Sequence, residues 1–144
     1  MDIQSIYQLF LSIALGSLIG LERECKKREA GLQTYTLVTL GACLFTMISF
    51  ETINIFVNET GIVFDPLRVI NSIAVGIGFI GAGVIFHQSS GVVGLTTAAG
   101  LWVTAAIGIA VGIKLYFLAT FTAFLMLLIL LIFGELEKKV FKKY

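Results

Sequence analysis

The chain has 144 residues, of which 58% are hydrophobic and 13% charged, with a mean hydropathy of +0.99 and a formal net charge of +1. Soluble domains carry roughly a quarter charged residues, so this composition excludes a soluble domain and indicates an integral membrane protein. Its cations gather in two clusters, Arg23–Arg28 and Lys138–Lys143, rather than on the continuous basic face that nucleic-acid binding requires.

Ile3 to Leu21 is the first expected span, about 28 Å long as a helix and matched to a hydrocarbon core of about 30 Å. Ser12, Gly16 and Gly20 recur every four residues, a stripe on which a neighbouring helix can pack closely. Asp2 replaces the basic region of a signal peptide and the apolar run is longer than a signal core, so the segment is expected to stay as a membrane helix. The span ends at Glu22-Arg23-Glu24, and Cys25 to Glu29 adds three positive charges, which assigns this loop to the cytoplasmic side. Cys25 in that loop and Cys43 inside the next span read as reduced thiols, since two cysteines make no disulfide framework.

Thr34 to about Ile53 is expected to return across the bilayer. The following loop carries Glu59 and Asp65 and no lysine, as an outer loop should. Asp65 before Pro66 reads as the N-cap of a third span from Leu67 to Phe86. Within it, GIGFIG matches the dinucleotide-binding pattern GxGxxG, but that motif needs a solvent-open helix start and an acidic residue about 20 positions on. GLWVTAA stands there instead, so the glycines are read as membrane-helix packing residues.

His87 to Val93 is expected to be a short turn-rich link. The fourth span begins at Gly94-Leu95-Thr96-Thr97, and in it Gly100, Thr104, Gly108 and Gly112 form the longest small stripe of the chain, expected to contact the third span. The fifth, Leu115 to Phe133, ends in FLMLLILLIF, bulky on every side and therefore peripheral. The expected organisation is a membrane domain over 1–134 and a short basic cytoplasmic tail over 135–144. The fold class is all-α, a bundle of five transmembrane helices with the N-terminus outside, the C-terminus inside, and the second, third and fourth spans packed tightly.

The segments LGSLIGLERE (Leu15–Glu24), AGLQTYTLVTLGA (Ala30–Ala42), DPLRVI with GIGFIGAGVIF (Asp65–Phe86) and GLTTAAGLWVTAAIGIAVG (Gly94–Gly112) occur in an order that resembles the membrane domain of the MgtC/SapB family. Gln33, His87 and Val93 stand where members often carry arginine, and Ser72 where glutamine is usual. The resemblance is to a short form without the soluble C-terminal domain of longer relatives. It implies a bacterial inner-membrane protein in adaptation to low magnesium and, in some bacteria, in virulence. It also implies action through membrane partners, including the proton-translocating ATP synthase. The alternative is a transporter of magnesium or another cation.

Two polar groups are candidate sites. With the expected topology, the inner end gathers Glu22, Arg23, Glu24, Gln33, Thr34, Thr36, His87, Thr96 and Thr97. They form either a platform for a cation or a partner, or a local Glu22–Arg23 pair with Thr96 and Thr97 capping the fourth helix. The outer end gathers Glu51, Asp65, Arg68 and Asn71, either a structural clasp or, through Glu51 and Asp65, a magnesium site with retained waters. The helix-packing set is Gly16, Gly20, Gly76, Gly78, Gly81, Gly83, Gly100, Gly108 and Gly112. No ionisable residue falls near the midpoint of any expected span, where Ser12, Thr46 and Thr104 alone supply hydroxyls. Carriers tend to place their sites at the midplane, so this argues against a monomeric ion carrier. No nucleophile–base pair supports an enzyme, no cofactor beyond magnesium is implied, and the expected partners are the bilayer, a membrane protein and a second copy of the chain.

Overall fold

The structure is a computed structural model that describes residues 3–56, 65–89 and 91–140. In chain order it comprises α1 (Ile3–Cys25), α2 (Leu32–Phe56), α3 (Pro66–Gly83), β1 (Phe86–Gln88), β2 (Gly91–Val93), α4 (Leu95–Gly112) and α5 (Tyr116–Val140). Among the described residues, four helices are long and apolar enough to cross a bilayer: Ile3–Cys25, Leu32–Phe56, Leu95–Gly112 and Tyr116–Leu136. The apolar stretch of α3, Leu67–Gly83, is somewhat shorter. Helices suit this sequence because a segment in lipid must satisfy all its backbone groups internally. Glu59 and Lys142 and Lys143 of the tail lie outside the described residues.

Several boundaries differ from those expected. α1 continues one turn beyond Leu21, which carries Glu22 and Arg23 into the bundle instead of leaving them at a solvated end. α3 stops at Gly83 rather than Phe86, and the link after it is an antiparallel hairpin pairing Phe86 with Val93, His87 with Val92 and Gln88 with Gly91. Gly94 closes it at φ 88°, and a Cβ there would run into the carbonyl oxygen of Val84, so only glycine fits. That glycine also occupies the N-cap of α4 with no side-chain cap, so neither Thr96 nor Thr97 caps the helix. At α3 the Asp65 carboxylate accepts the Leu67 N–H at 3.0 Å and Pro66 occupies the first turn, as expected. α5 runs without a break through Gly134 to Val140.

The tight packing lies elsewhere than expected. α1, α2 and α4 form the centre, whereas α3 and α5 lean on it from outside. A Cβ on Gly20 would stand 2.8 Å from Leu32 Cα, and one on Gly16 would meet Thr39 Oγ1 and, at 2.9 Å, the Tyr35 carbonyl. On α4, a Cβ on Gly108 would strike the Thr39 carbonyl, and one on Gly112 would reach 2.7 Å from Thr46 Cβ. Both stripes therefore face α2, and the α4 stripe does not seat α3. Among the described residues, nothing outside the helix lies within 4 Å of such a Cβ on Gly76, Gly78 or Gly83 of α3, and Gly81 makes only an ordinary contact with Ala98 at 3.5 Å. α5 presents bulky side chains outward, with Phe117 84% exposed, in keeping with a peripheral helix against lipid.

Candidate functional site: a charged end, a polar cleft and an apolar groove

At the end of the bundle where α1 meets α2 and α4 begins, charged and polar groups interlock. Arg23 is only 2% exposed. Its Nη1 lies 3.5 Å from Glu22 Oε2, and Lys26 Nζ lies 2.7 Å from Glu22 Oε1. These are charge contacts without hydrogen-bond alignment, since both Glu22 oxygens and Arg23 Nε are buried with no hydrogen-bond partner among the described residues. Removing two charges from water costs several kcal/mol per ion, of order, and mutual attraction offsets it only when the geometry is good. Lys26 adds a second bond, donating to the Leu130 carbonyl of α5 at 3.1 Å, so it ties the peripheral helix to this cluster.

The other acids of this end serve the backbone. Glu24 Oε2 accepts the Leu32 N–H at 3.0 Å and thereby caps α2, while Glu29 Oε2 accepts the Thr97 hydroxyl at 2.5 Å near the start of α4. The Thr97 bond and Glu29's own backbone N–H, helped more weakly by Arg28 and Arg23, hold this carboxyl below the usual glutamate value against the opposing effect of burial. Tyr35, fully buried on α2, donates to the Thr97 carbonyl at 3.3 Å. Of the expected platform, Glu22, Arg23 and Thr97 thus come together, joined by Lys26, Glu29 and Tyr35. Glu24 acts as a cap, Thr36 shares a 2.9 Å hydrogen bond with Ser17, and Gln33, His87 and Thr96 are exposed. Thr34 turns instead toward the groove between α2 and α3.

The opposite end does not converge on one clasp. Asp65 and Arg68 approach at 4.0 Å with both side chains largely exposed, and Asn71 is exposed as well. Glu51 pairs with Asn54 at 3.3 Å and lines a different space, a cleft of about 730 Å³ whose other polar walls are Gln4, Ser5, Gln8 and Lys114. The two proposed magnesium ligands, Glu51 and Asp65, are therefore on separate features. Among the described residues, no three His, Cys, Asp or Glu side chains cluster as a metal site. Behind the cleft, buried Gln8 donates from Nε2 to the carbonyls of Val111 at 2.9 Å and Gly112 at 2.8 Å, pinning α1 to the C-terminal end of α4. A glutamine inside an apolar helix was the available signal for this contact, since polar residues in membrane helices commonly bond across helices.

The midspan hydroxyls donate within their own helices. Ser12, Thr46 and Thr104 are buried, and each donates to its own helix backbone, to Leu9 O at 2.8 Å, Ala42 O at 2.7 Å and Gly100 O at 2.8 Å. Between α2 and α3, by contrast, a groove of about 670 Å³ opens sideways, lined by apolar and small residues including Gly41, Ala42, Gly76 and Ala105.

Comparison with known proteins identifies the architecture's relatives. A profile of the MgtC family matches residues 9–139. YhiD of Escherichia coli K12, named as a candidate magnesium transporter, is 36% identical over 143 residues, which cover 99% of this chain and 66% of YhiD. SapB of Bacillus subtilis is 39% identical over 116 residues (80% of this chain, 50% of SapB), and MgtC of Brucella abortus 45% over 98 residues (68% and 38%). The chain thus spans between about two fifths and two thirds of the length of these relatives. No solved structure matches. With its profile match and its apolar helices, the chain is a membrane protein and belongs to the MgtC family.

Proposed function

We propose that this protein regulates other membrane proteins by lateral helix contact in the bacterial inner membrane, as part of adaptation to low magnesium and, in some hosts, of virulence. The chain crosses the bilayer five times with its N-terminus outside, which puts Lys26–Arg28 and the tail lysines on the cytoplasmic side as the positive-inside rule requires. The proton-translocating ATP synthase is the partner that the family resemblance implies, and catalysis is not part of the role. The observation that carries this reading is the contrast between the interior and the flank. Among the described residues the midspan offers an ion the hydroxyl oxygens of Ser12, Thr46 and Thr104, each buried and bonded to its own helix, and no carboxylate, which is little to replace the water of a divalent cation. The groove between α2 and α3 offers an apolar seat with small residues on its walls, the surface on which membrane helices pack.

A second reading is transport of magnesium or another cation, favoured by the polar cleft around Glu51 and by the name given to YhiD. The two separate in bacteria lacking their own family member and grown in low magnesium. Regulation through the groove predicts rescue by the parent and by Glu51→Gln, and failure of a folded Gly76→Leu protein. Rescue that needs Glu51 and tolerates Gly76→Leu overturns it in favour of transport.

A further inference from the structure

The loop between α1 and α2 presents cations that no salt bridge holds among the described residues. Within the stretch from 22 to 29, each acid is committed: Glu22 to Lys26 and Arg23, Glu24 to the Leu32 N–H, Glu29 to Thr97. Among the cations, Arg23 is buried and Lys26 is held between Glu22 and the Leu130 carbonyl. Lys27 and Arg28 remain exposed and make no salt bridge among the described residues.

Lys27 also occupies a conformation that its side chain disfavours. It ends α1 with φ 52°, its N–H bonded to the Glu24 carbonyl at 2.9 Å, while the Arg28 N–H reaches the Arg23 carbonyl at 3.1 Å. This is the left-handed turn that closes a helix, where glycine or asparagine ordinarily stands because a Cβ is strained there. A lysine gains something from the helix dipole in this place, yet glycine satisfies the turn without strain. The turn directs two unpaired cations outward within one turn of the end of a span, which is headgroup level in a bilayer.

We propose that Lys27 and Arg28 form a binding surface for the phosphate of an anionic phospholipid, with the guanidinium offering a planar fork and the ammonium a point charge. Charge complementarity selects this occupant. The surface of a bacterial membrane carries phosphodiester anions at the depth of these residues, and juxtamembrane cations are attracted to them. Bound lipid would sit beside α5, which Lys26 already holds to the loop through the Leu130 carbonyl.

The test uses the purified full chain, delipidated in a non-ionic detergent, with thermal stability and native mass spectra recorded as phosphatidylglycerol, phosphatidylcholine or inorganic phosphate is added. Phosphatidylglycerol should raise the melting temperature saturably and remain as an adduct, and the other two should not. Lys27→Gly combined with Arg28→Gln should weaken phosphatidylglycerol binding by roughly fivefold per removed charge. Without lipid, Lys27→Gly alone should melt no lower than the parent, a result that a purely structural role for Lys27 does not give. If the double variant fails to fold, Arg28→Gln alone should still show its roughly fivefold loss. Equal response to phosphatidylcholine, an equal response to inorganic phosphate, or unchanged affinity in the folded variants overturns the proposal.

Discussion

Glu29, in the loop after α1, accepts a 2.5 Å hydrogen bond from the hydroxyl of Thr97, 68 positions later at the start of α4. The glycine N-cap of α4 supplies no side-chain acceptor, so this carboxylate arrives from another part of the chain to complement the positive end of the helix. Because the folded state holds the Glu29 carboxyl below its ordinary pKa, the contact contributes stability that is complete above the unfolded value. That contribution is lost as pH falls through the lower folded value. Glu29→Gln should therefore melt below the parent at neutral pH, with the difference shrinking below about pH 4. Melting curves of both proteins between neutral and acid pH check this, and a constant difference across the range contradicts it.

The glycines divide into two kinds, and stability measurements should follow the division. Gly108→Ala drives a methyl into the Thr39 carbonyl, a backbone atom that cannot swing away, and should cost on the order of 1–3 kcal/mol. Gly78→Ala meets open space and should be neutral or favourable by up to about 1 kcal/mol through helix propensity. Detergent melting of the two variants decides it. Equal destabilisation would mean that α3 packs through Gly78 after all.

The difference between these glycines also marks how far the sequence could be read. Regular spacing of Gly100, Gly108 and Gly112 defines a helix face, and that face is indeed the close-packed one. Spacing does not name the neighbour, and α2 rather than α3 occupies it, with Thr39, Ala42 and Thr46 against Gly108 and Gly112. The Asp65 cap was legible because capping is local. Glu29, Lys26 and Tyr35 were not, since each acquires its role from a contact across the fold, with Thr97, Leu130 and Thr97 respectively. The hairpin was hidden by its brevity, three residues a strand.

Gln8 supplies a third prediction. Its amide donates to the Val111 and Gly112 carbonyls at the end of α4, the first of which also accepts the Lys114 N–H at 3.0 Å. Gln8→Leu keeps the approximate volume and removes both bonds, and should lower stability by about 1–3 kcal/mol. Gln8→Glu should do so as well, because a carboxylate has no hydrogen to donate to a carbonyl. Chemical unfolding in mixed detergent reads the cost. Parent-like stability in Gln8→Leu would show that the Gly112 carbonyl finds another donor.

The central claim is regulation rather than transport, and magnesium uptake tests it most directly. Purified parent protein in liposomes, loaded with a magnesium indicator and given an inward magnesium gradient, is predicted to show uptake no greater than empty liposomes. Saturable uptake well above that background, abolished by Glu51→Gln in protein that still folds, would contradict the account and make the polar cleft an ion entrance.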